Sequence, residues 1–284
     1  MSKAVEQGTA VYQRGRLWIE NIDPTSRKGA TVGWVRRYQA ADGQLFAVLL
    51  AAYVFLTLLP LLLLESTYVY DNPHALADRV VHRLKLEGAT ADLLRTILVG
   101  AGGHKLSAVL IAAVNLFFFG LGLGRVLQIA HARSWGIDLR KSVIADQSRY
   151  LAVLGALTAL TLLFVVQAHA LQGHPSWIAW LLDLVWLGVL LAFFVWAPWL
   201  LLHKRVPWRD IVPGAVFTML GLIVLRLISV LLLAHWLEWY SKTYGSVGIV
   251  MALFFWLVVF GTVLVLAAAL SPALAHRRDL RRGR

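Results

Sequence analysis

The sequence predicts an all-α, polytopic membrane protein with six transmembrane helices and short amphipathic helices on its outer face. Three observations carry that expectation. The 284-residue chain is 59% hydrophobic and only 15% charged, against about 25% charged in soluble domains. Its apolar residues gather into six runs of membrane-spanning length. Its basic residues alternate between the connections in the way that sets membrane topology.

The runs are taken in order. The first is 44–64, the second 107–127, the third 150–168, the fourth 177–202, the fifth 211–234 and the sixth 247–270. About 20 apolar residues cross a hydrocarbon core of ~30 Å. Such a run satisfies its own backbone only as a helix. The division is therefore a polar N-terminal tail (1–43), a six-span membrane domain (44–270) with a long outer loop (65–106), and a basic C-terminal tail (271–284). Residues 1–43 are polar and mixed in charge, and the first apolar run lacks the short form of a cleaved signal.

Orientation follows from Lys and Arg. Seven lie in the N-terminal tail, five at the second-to-third connection, three at the fourth-to-fifth and five in the C-terminal tail. The remaining loops hold six. This places both termini in the cytoplasm of a multi-pass inner-membrane protein. The net charge of +12 is thus read as topology and not as a nucleic-acid surface. Arg277, Arg278, Arg281 and Arg282 form a basic cluster that suits anionic lipid headgroups at the cytoplasmic face, each worth about 1 kcal/mol near the surface. Trp135, Trp177, Trp208, Trp236, Trp239 and Tyr240 fall near span ends as interfacial anchors.

In the outer loop, Asn72-Pro73 reads as a cap followed by Pro at the first helical position. Leu76, Val80 and Leu84 make one apolar stripe. Thr90 can cap a second short helix carrying Leu93, Leu94, Ile97 and Leu98. Two amphipathic helices are expected there, as a lid or as a cover for the bundle.

Ionisable groups inside spans are the best pointers to function, because each costs at least ~2.5 kcal/mol at the membrane centre. Arg226 in the fifth run and Asp183 in the fourth fall at one depth, about 9–12 Å from the outer end at ~1.5 Å per residue. Asn115 lies at a similar depth, and Thr57 and Pro60 are near it. This polar layer is either a water-accessible cavity in which Arg226 meets an anion or a sealed Asp183–Arg226 pair. Gly120 and Gly124 match the small-xxx-small spacing of close helix approach, which leaves room for a homo-oligomer without requiring one. The chain has no Cys, so thiolate metal sites are excluded. The nine His are scattered without the spacing of a metal site, and no nucleophile elbow or paired carboxylates stand out. Neither an enzyme nor a cofactor is expected.

Between the fourth and fifth runs the chain reads Arg205-Val206-Pro207-Trp208-Arg209-Asp210, then Ile211-Val212-Pro213-Gly214-Ala215, with Asp210 placed to cap the fifth helix. This stretch resembles the YihY/virulence factor BrkB family of bacterial inner-membrane proteins. Ala52-Tyr53 with Thr57-Leu58-Leu59-Pro60-Leu61 is similar to the family's first span, where Ser is usual at position 57. Tyr244-Gly245-Ser246-Val247-Gly248 with Trp256 is similar to the entry of its last span. The resemblance covers roughly residues 40–275. It implies six spans and an envelope or transport role. The family's frequent Gly-Ala-Glu in the last helix is replaced by Ala267, Ala268 and Ala269, so no role of that Glu carries over. Members were once labelled ribonuclease BN, yet no carboxylate or His cluster here is placed to hold catalytic metals. Arg226, Asp183, Asn115, Thr57, Pro60 and Tyr53 form the candidate substrate-contacting set. The leading reading is a transporter or flippase of an anionic or lipid-like envelope component. The alternative is a non-transporting envelope-integrity or scaffold protein.

Overall fold

Apolar runs of this length can only satisfy their amides internally, and the described residues of the computed structural model form helices joined by turns, with no strand among them. It describes residues 26–69, 105–139, 143–170, 176–229 and 234–283, with single residues at 78, 81, 82, 92, 95 and 232. The side chains of Pro60, Asp183, Arg281 and Arg282 lie outside the description.

Eight helices are bounded among these residues: α1 (Arg27–Ala40), α2 (Gly43–Val69), α3 (Lys105–Trp135), α4 (Val143–Ala170), α5 (Ser176–Leu201), α6 (Trp208–Ile228), α7 (Ala234–Tyr244) and α8 (Ser246–Arg282). Each apolar run falls on one of α2 to α6 and α8, the fifth also running on past the end of α6. Among the described residues four helices are long and apolar enough to cross a membrane, or five where the bent pair α1–α2 counts as one span. The apolar end of α4, residues 164–170, lies beyond the described side chains.

Several expectations of detail change. The fifth run was drawn to residue 234, but α6 ends at Ile228 and Ala234 opens a separate helix. Part of the N-terminal tail is ordered as α1. Ser26 Oγ accepts from the Gly29 amide at 2.9 Å, and Trp34 Nε1 donates to the Leu266 carbonyl of α8 at 2.8 Å. A bend of 61° separates α1 from α2, made by Asp42 at φ 54°. Asp210 does not cap α6. Pro207 holds the cap position without a side-chain bond, and Asp210 instead receives Arg278 Nη1 at 3.0 Å. A charge pair in the first turn satisfies the carboxylate better than one amide does.

In the outer loop, Asp78, Val81, His82, Asp92 and Arg95 are helical. Arg95 joins the two stretches, 2.9 Å from Asp78 and 3.3 Å from Asp92. Asn72, Pro73, Gly88 and Thr90, on which the caps were placed, lie outside the described residues.

Helix α8 is the axis of the bundle, packing on α1, α2, α3, α6 and α7. Its contacts are close because small residues meet backbone. A Cβ at Gly261 would lie 2.3 Å from the Ala47 carbonyl of α2, and one at Gly214 would lie 2.6 Å from the Ala267 carbonyl. Ala267, Ala268 and Ala269 are all buried. Core clusters form around Leu50 and Val265, around Leu202 and Ile211, and around Tyr150 and Leu201. Outside, large apolar side chains such as Phe118, Leu220 and Val259 are exposed, the surface that lipid covers.

The ion pairs Arg133–Asp42 and Arg278–Asp210, with the Arg205–Asp138 carbonyl bond, mark one end of the bundle. It is called the basic end below, and the opposite end the far end.

Candidate functional site

Six helices each turn one face inward, and between them lies a cavity of about 830 Å³. The spacing on each wall is helical. From α6 come Ile211, Gly214, Ala215, Thr218, Met219, Leu222, Ile223, Arg226 and Leu227, one continuous stripe of three- and four-residue steps. The span Ile211 to Leu227 measures about 24 Å at ~1.5 Å per residue, most of a ~30 Å hydrocarbon core. Helix α4 contributes Tyr150, Val153, Leu154, Leu157 and Thr161, and α5 a stripe from Leu184 to Pro198. The wall is apolar nearly throughout. Arg226 is the only charged side chain among the described residues that line it, and it sits toward the far end. The volume falls in the usual ligand-site range of about 300–1,000 Å³.

Of the candidate substrate contacts whose side chains are described, Arg226 alone lines the cavity, and it is exposed; Gly120, Gly124 and Trp135, singled out for packing and anchoring, line it too. Asn115 is half-buried on α3 and is not part of the wall. Tyr53 packs its ring against Gly122, where an added Cβ would lie 2.0 Å from it. Thr57 is buried and donates to carbonyls of its own helix, Tyr53 at 2.9 Å and Val54 at 3.0 Å. Asp183 and Pro60 lie on α5 and α2, but their side chains are outside the described residues, and with Asp183 goes the pairing to Arg226. At the C-terminus Arg278 is engaged by Asp210, and Arg277 also has an interaction.

What sequence reasoning missed lies at the basic end. Ser271 of α8 accepts from the Gly214 amide at 2.9 Å and donates to the Ile211 carbonyl at 3.2 Å. This clamps the first turns of α6, where Pro213 has removed an amide. Beside the cavity floor, Gln128 of α3 donates to the Leu201 carbonyl at 2.9 Å, and its Oε1 accepts from Tyr150. Gln128 Nε2 also lies 3.2 Å from His203 Nε2, which is 2.7 Å from Asp146 Oδ1. Arg149 Nη1 donates to the same Asp146 oxygen at 2.8 Å. Five polar side chains from three segments are thus joined in one group, Gln128 and Tyr150 buried and the others half-buried. Only short sequence spacings hinted at it: Gln128 and His131 three apart, Asp146, Arg149 and Tyr150 three and four apart. The same spacings mark an ordinary span end.

The turn after α5 is wound for this purpose. His203 and Lys204 both have φ 57°, a left-handed conformation costing roughly 1–2 kcal/mol per non-glycine residue. Lys204 Nζ lies 4.8 Å over the Trp199 ring, and Arg205 reaches the Asp138 carbonyl at 3.0 Å. Those contacts and the His203–Asp146 bond offset the strain. Among the described residues no group of three His, Asp or Glu is arranged to hold a metal ion.

The family profile described as Virulence factor BrkB matches residues 34–284. The ribonuclease-like protein YfkH of Bacillus subtilis is 26% identical over 264 residues, covering 86% of this chain and 94% of that protein. The UPF0761 membrane protein PSHAa0171 of Pseudoalteromonas translucida is 22% identical over 194 residues, 66% of this chain and 64% of that protein. No solved structure matches.

Proposed function

The chain belongs to the Virulence factor BrkB family of bacterial membrane proteins, and on that premise we propose that it is an inner-membrane transporter or flippase of an anionic or lipid-like envelope component. One observation carries the reading. A long apolar cleft runs most of the membrane thickness and holds a single charged side chain among its described lining, Arg226 near one end. Apolar walls accept acyl chains, and a guanidinium accepts phosphate or carboxylate.

The reading includes six spans with both termini in the cytoplasm, so that the basic end faces inward and Arg226 lies in the outer half. The arginines at the end of α8 then meet anionic headgroups. No enzymatic step is part of it. The name ribonuclease-like belongs to YfkH.

The test uses liposomes containing the full chain and fluorescent phosphatidylglycerol, with dithionite quenching as the readout of lipid exchange. Arg226→Gln should slow exchange roughly ten- to a hundredfold, the loss of one charge-assisted contact of roughly 1.5–3 kcal/mol, while thermal stability is kept. Cys placed singly at 115, 183 and 226 on the Cys-free background reports water access. Uniform inertness to an aqueous maleimide, with exchange no faster than in empty liposomes, would leave a sealed bundle and an envelope-scaffold role.

A further inference from the structure

Toward the basic end the cavity wall includes His131, Trp135, Tyr150, Thr218 and Ser271. The three hydroxyl hydrogens are already engaged. Tyr150 donates to Gln128, Thr218 to the Gly214 carbonyl at 3.0 Å and Ser271 to the Ile211 carbonyl at 3.2 Å. His131 is different. Its Nδ1 lies 2.9 Å from the Leu127 carbonyl of its own helix. A carbonyl only accepts, so Nδ1 carries the hydrogen. An enclosed ring with no carboxylate bonded to it among the described residues is neutral, which leaves Nε2 a bare acceptor. That atom has no partner among the described residues, although His131 is only 9% exposed. With Nδ1 turned back along α3, Nε2 points away from that helix. It is not sealed in, because no side-chain nitrogen or oxygen among the described residues is both enclosed and unbonded. The space that His131 borders is the cavity.

We infer that His131 Nε2 is a docking site for a headgroup hydroxyl, so that the cavity selects anionic lipids whose headgroups carry hydroxyls. Phosphatidylglycerol is the simplest of these. The inference deepens the lipid reading proposed above and rests on it. An imidazole acceptor on an otherwise apolar wall costs free energy while it is unbonded. A ligand hydroxyl supplies the missing hydrogen.

The surroundings say why a hydroxyl fits best. Trp135 stands one turn from His131 on the same face of α3, and its indole N–H has no acceptor among the described residues. A hydroxyl both donates and accepts, which matches the pair. An ammonium headgroup has hydrogens but no lone pair for the indole, and a choline headgroup has no hydrogen for the imidazole. The two polar ends of the cavity are well separated. Trp135 packs with Ile211 at the basic end, and Arg226 is about 22 Å farther along α6 at ~1.5 Å per residue. One headgroup cannot touch both at once. Arg226 takes the phosphate at the far end, and His131 takes the hydroxyl when the headgroup is at the basic end. The apolar wall between them lodges acyl chain.

Two measurements on the full chain test the inference. Phosphatidylglycerol and phosphatidylmethanol carry the same phosphate charge, but only the first has headgroup hydroxyls. In nanodiscs of phosphatidylglycerol, with carbon-13 in the headgroup glycerol and nitrogen-15 in histidine, solid-state NMR should show through-space transfer between the two labels. That transfer should be lost in His131→Phe. In liposomes, with acyl-labelled fluorescent forms and dithionite quenching, the glycerol lipid should exchange roughly two- to tenfold faster than the methyl one, the worth of one neutral hydrogen bond. His131→Phe should remove the preference, and His131→Gln, which keeps an acceptor, should retain it. Absence of transfer in the unsubstituted protein overturns the proposal. So does active exchange that does not distinguish the two lipids, or a preference that His131→Phe leaves intact. Transfer from free carbon-13 glycerol in phosphatidylmethanol nanodiscs would overturn the lipid assignment in favour of a soluble polyol. Transfer from the lipid in a protein that exchanges neither lipid would overturn only the transport reading.

Discussion

At the residue scale, glycines decide how close the helices come. Gly261 faces the Ala47 carbonyl at a distance where an added Cβ would lie 2.3 Å from oxygen. Backbone cannot retreat as a side chain can, so Gly261→Ala should cost about 1–3 kcal/mol by overpacking. Gly155, also in a helix, has nothing within 4 Å of an added Cβ, and Gly155→Ala should stabilise by about 0.5–1 kcal/mol. Thermal unfolding of the two variants in one detergent should move in opposite directions; equal losses would mean that helix crossing is not what distinguishes them. Ser271→Ala should cost about 1 kcal/mol, because it leaves the Gly214 amide without its partner. Composition cannot separate Gly261 from Gly155. Only the neighbour across the gap does, and that neighbour is far away in the chain.

At the element scale, the bend between α1 and α2 shows how a short polar break acts inside an apolar pattern. Asp42 supplies both a left-handed φ of 54° and an ion pair to Arg133. The pair is half exposed on both sides, so its worth is small, about 0–1 kcal/mol. The backbone requirement is larger, roughly 1–2 kcal/mol for a residue with a Cβ and no local polar group. Asp42→Asn should therefore be nearly neutral and Asp42→Ala clearly destabilising, as read by unfolding in detergent. If both fall equally, the charge and not the turn is what matters. The apolar run beginning near residue 44 was legible in the sequence. Helix α1 was not, because its docking depends on one indole reaching Leu266 of a helix more than two hundred residues on. Asp210 teaches a similar lesson: next to Pro207 it has the look of a cap, but the end of α8 brings Arg278 to it.

At the scale of the whole molecule, the inward stripes of six helices leave a cavity of about 830 Å³. A well-packed bundle would close such a void, because each lining atom loses dispersion partners. Leu157→Trp should fill part of it, leave the melting temperature unchanged or raised, and slow lipid exchange. Slower exchange with a lowered melting temperature would instead mark a misfolded wall. Two further placements belong to this scale, the C-terminus and helix α7. A tag on the C-terminus of the protein in intact spheroplasts should be protected from added protease, and Lys242→Cys, at the far end, should be labelled by an impermeant reagent.

The sequence by itself determined the class of the protein. Long apolar runs in water-free surroundings permit only helices, and the uneven spread of Lys and Arg sets their expected direction. Both are local or additive properties, readable without knowing what touches what. Arg226 was found the same way, since a guanidinium within an apolar run is costly wherever it points. What only the tertiary structure decided is where helices separate and where they close. The cavity arises from faces of six helices, and the Gln128–His203–Asp146 group from three segments as much as 75 residues apart. Their members look ordinary one at a time: a Gln near a span end, a His in a turn, an Asp beside an Arg. Their significance is one of distance and of shared hydrogen bonds, which no run of hydrophobicity records.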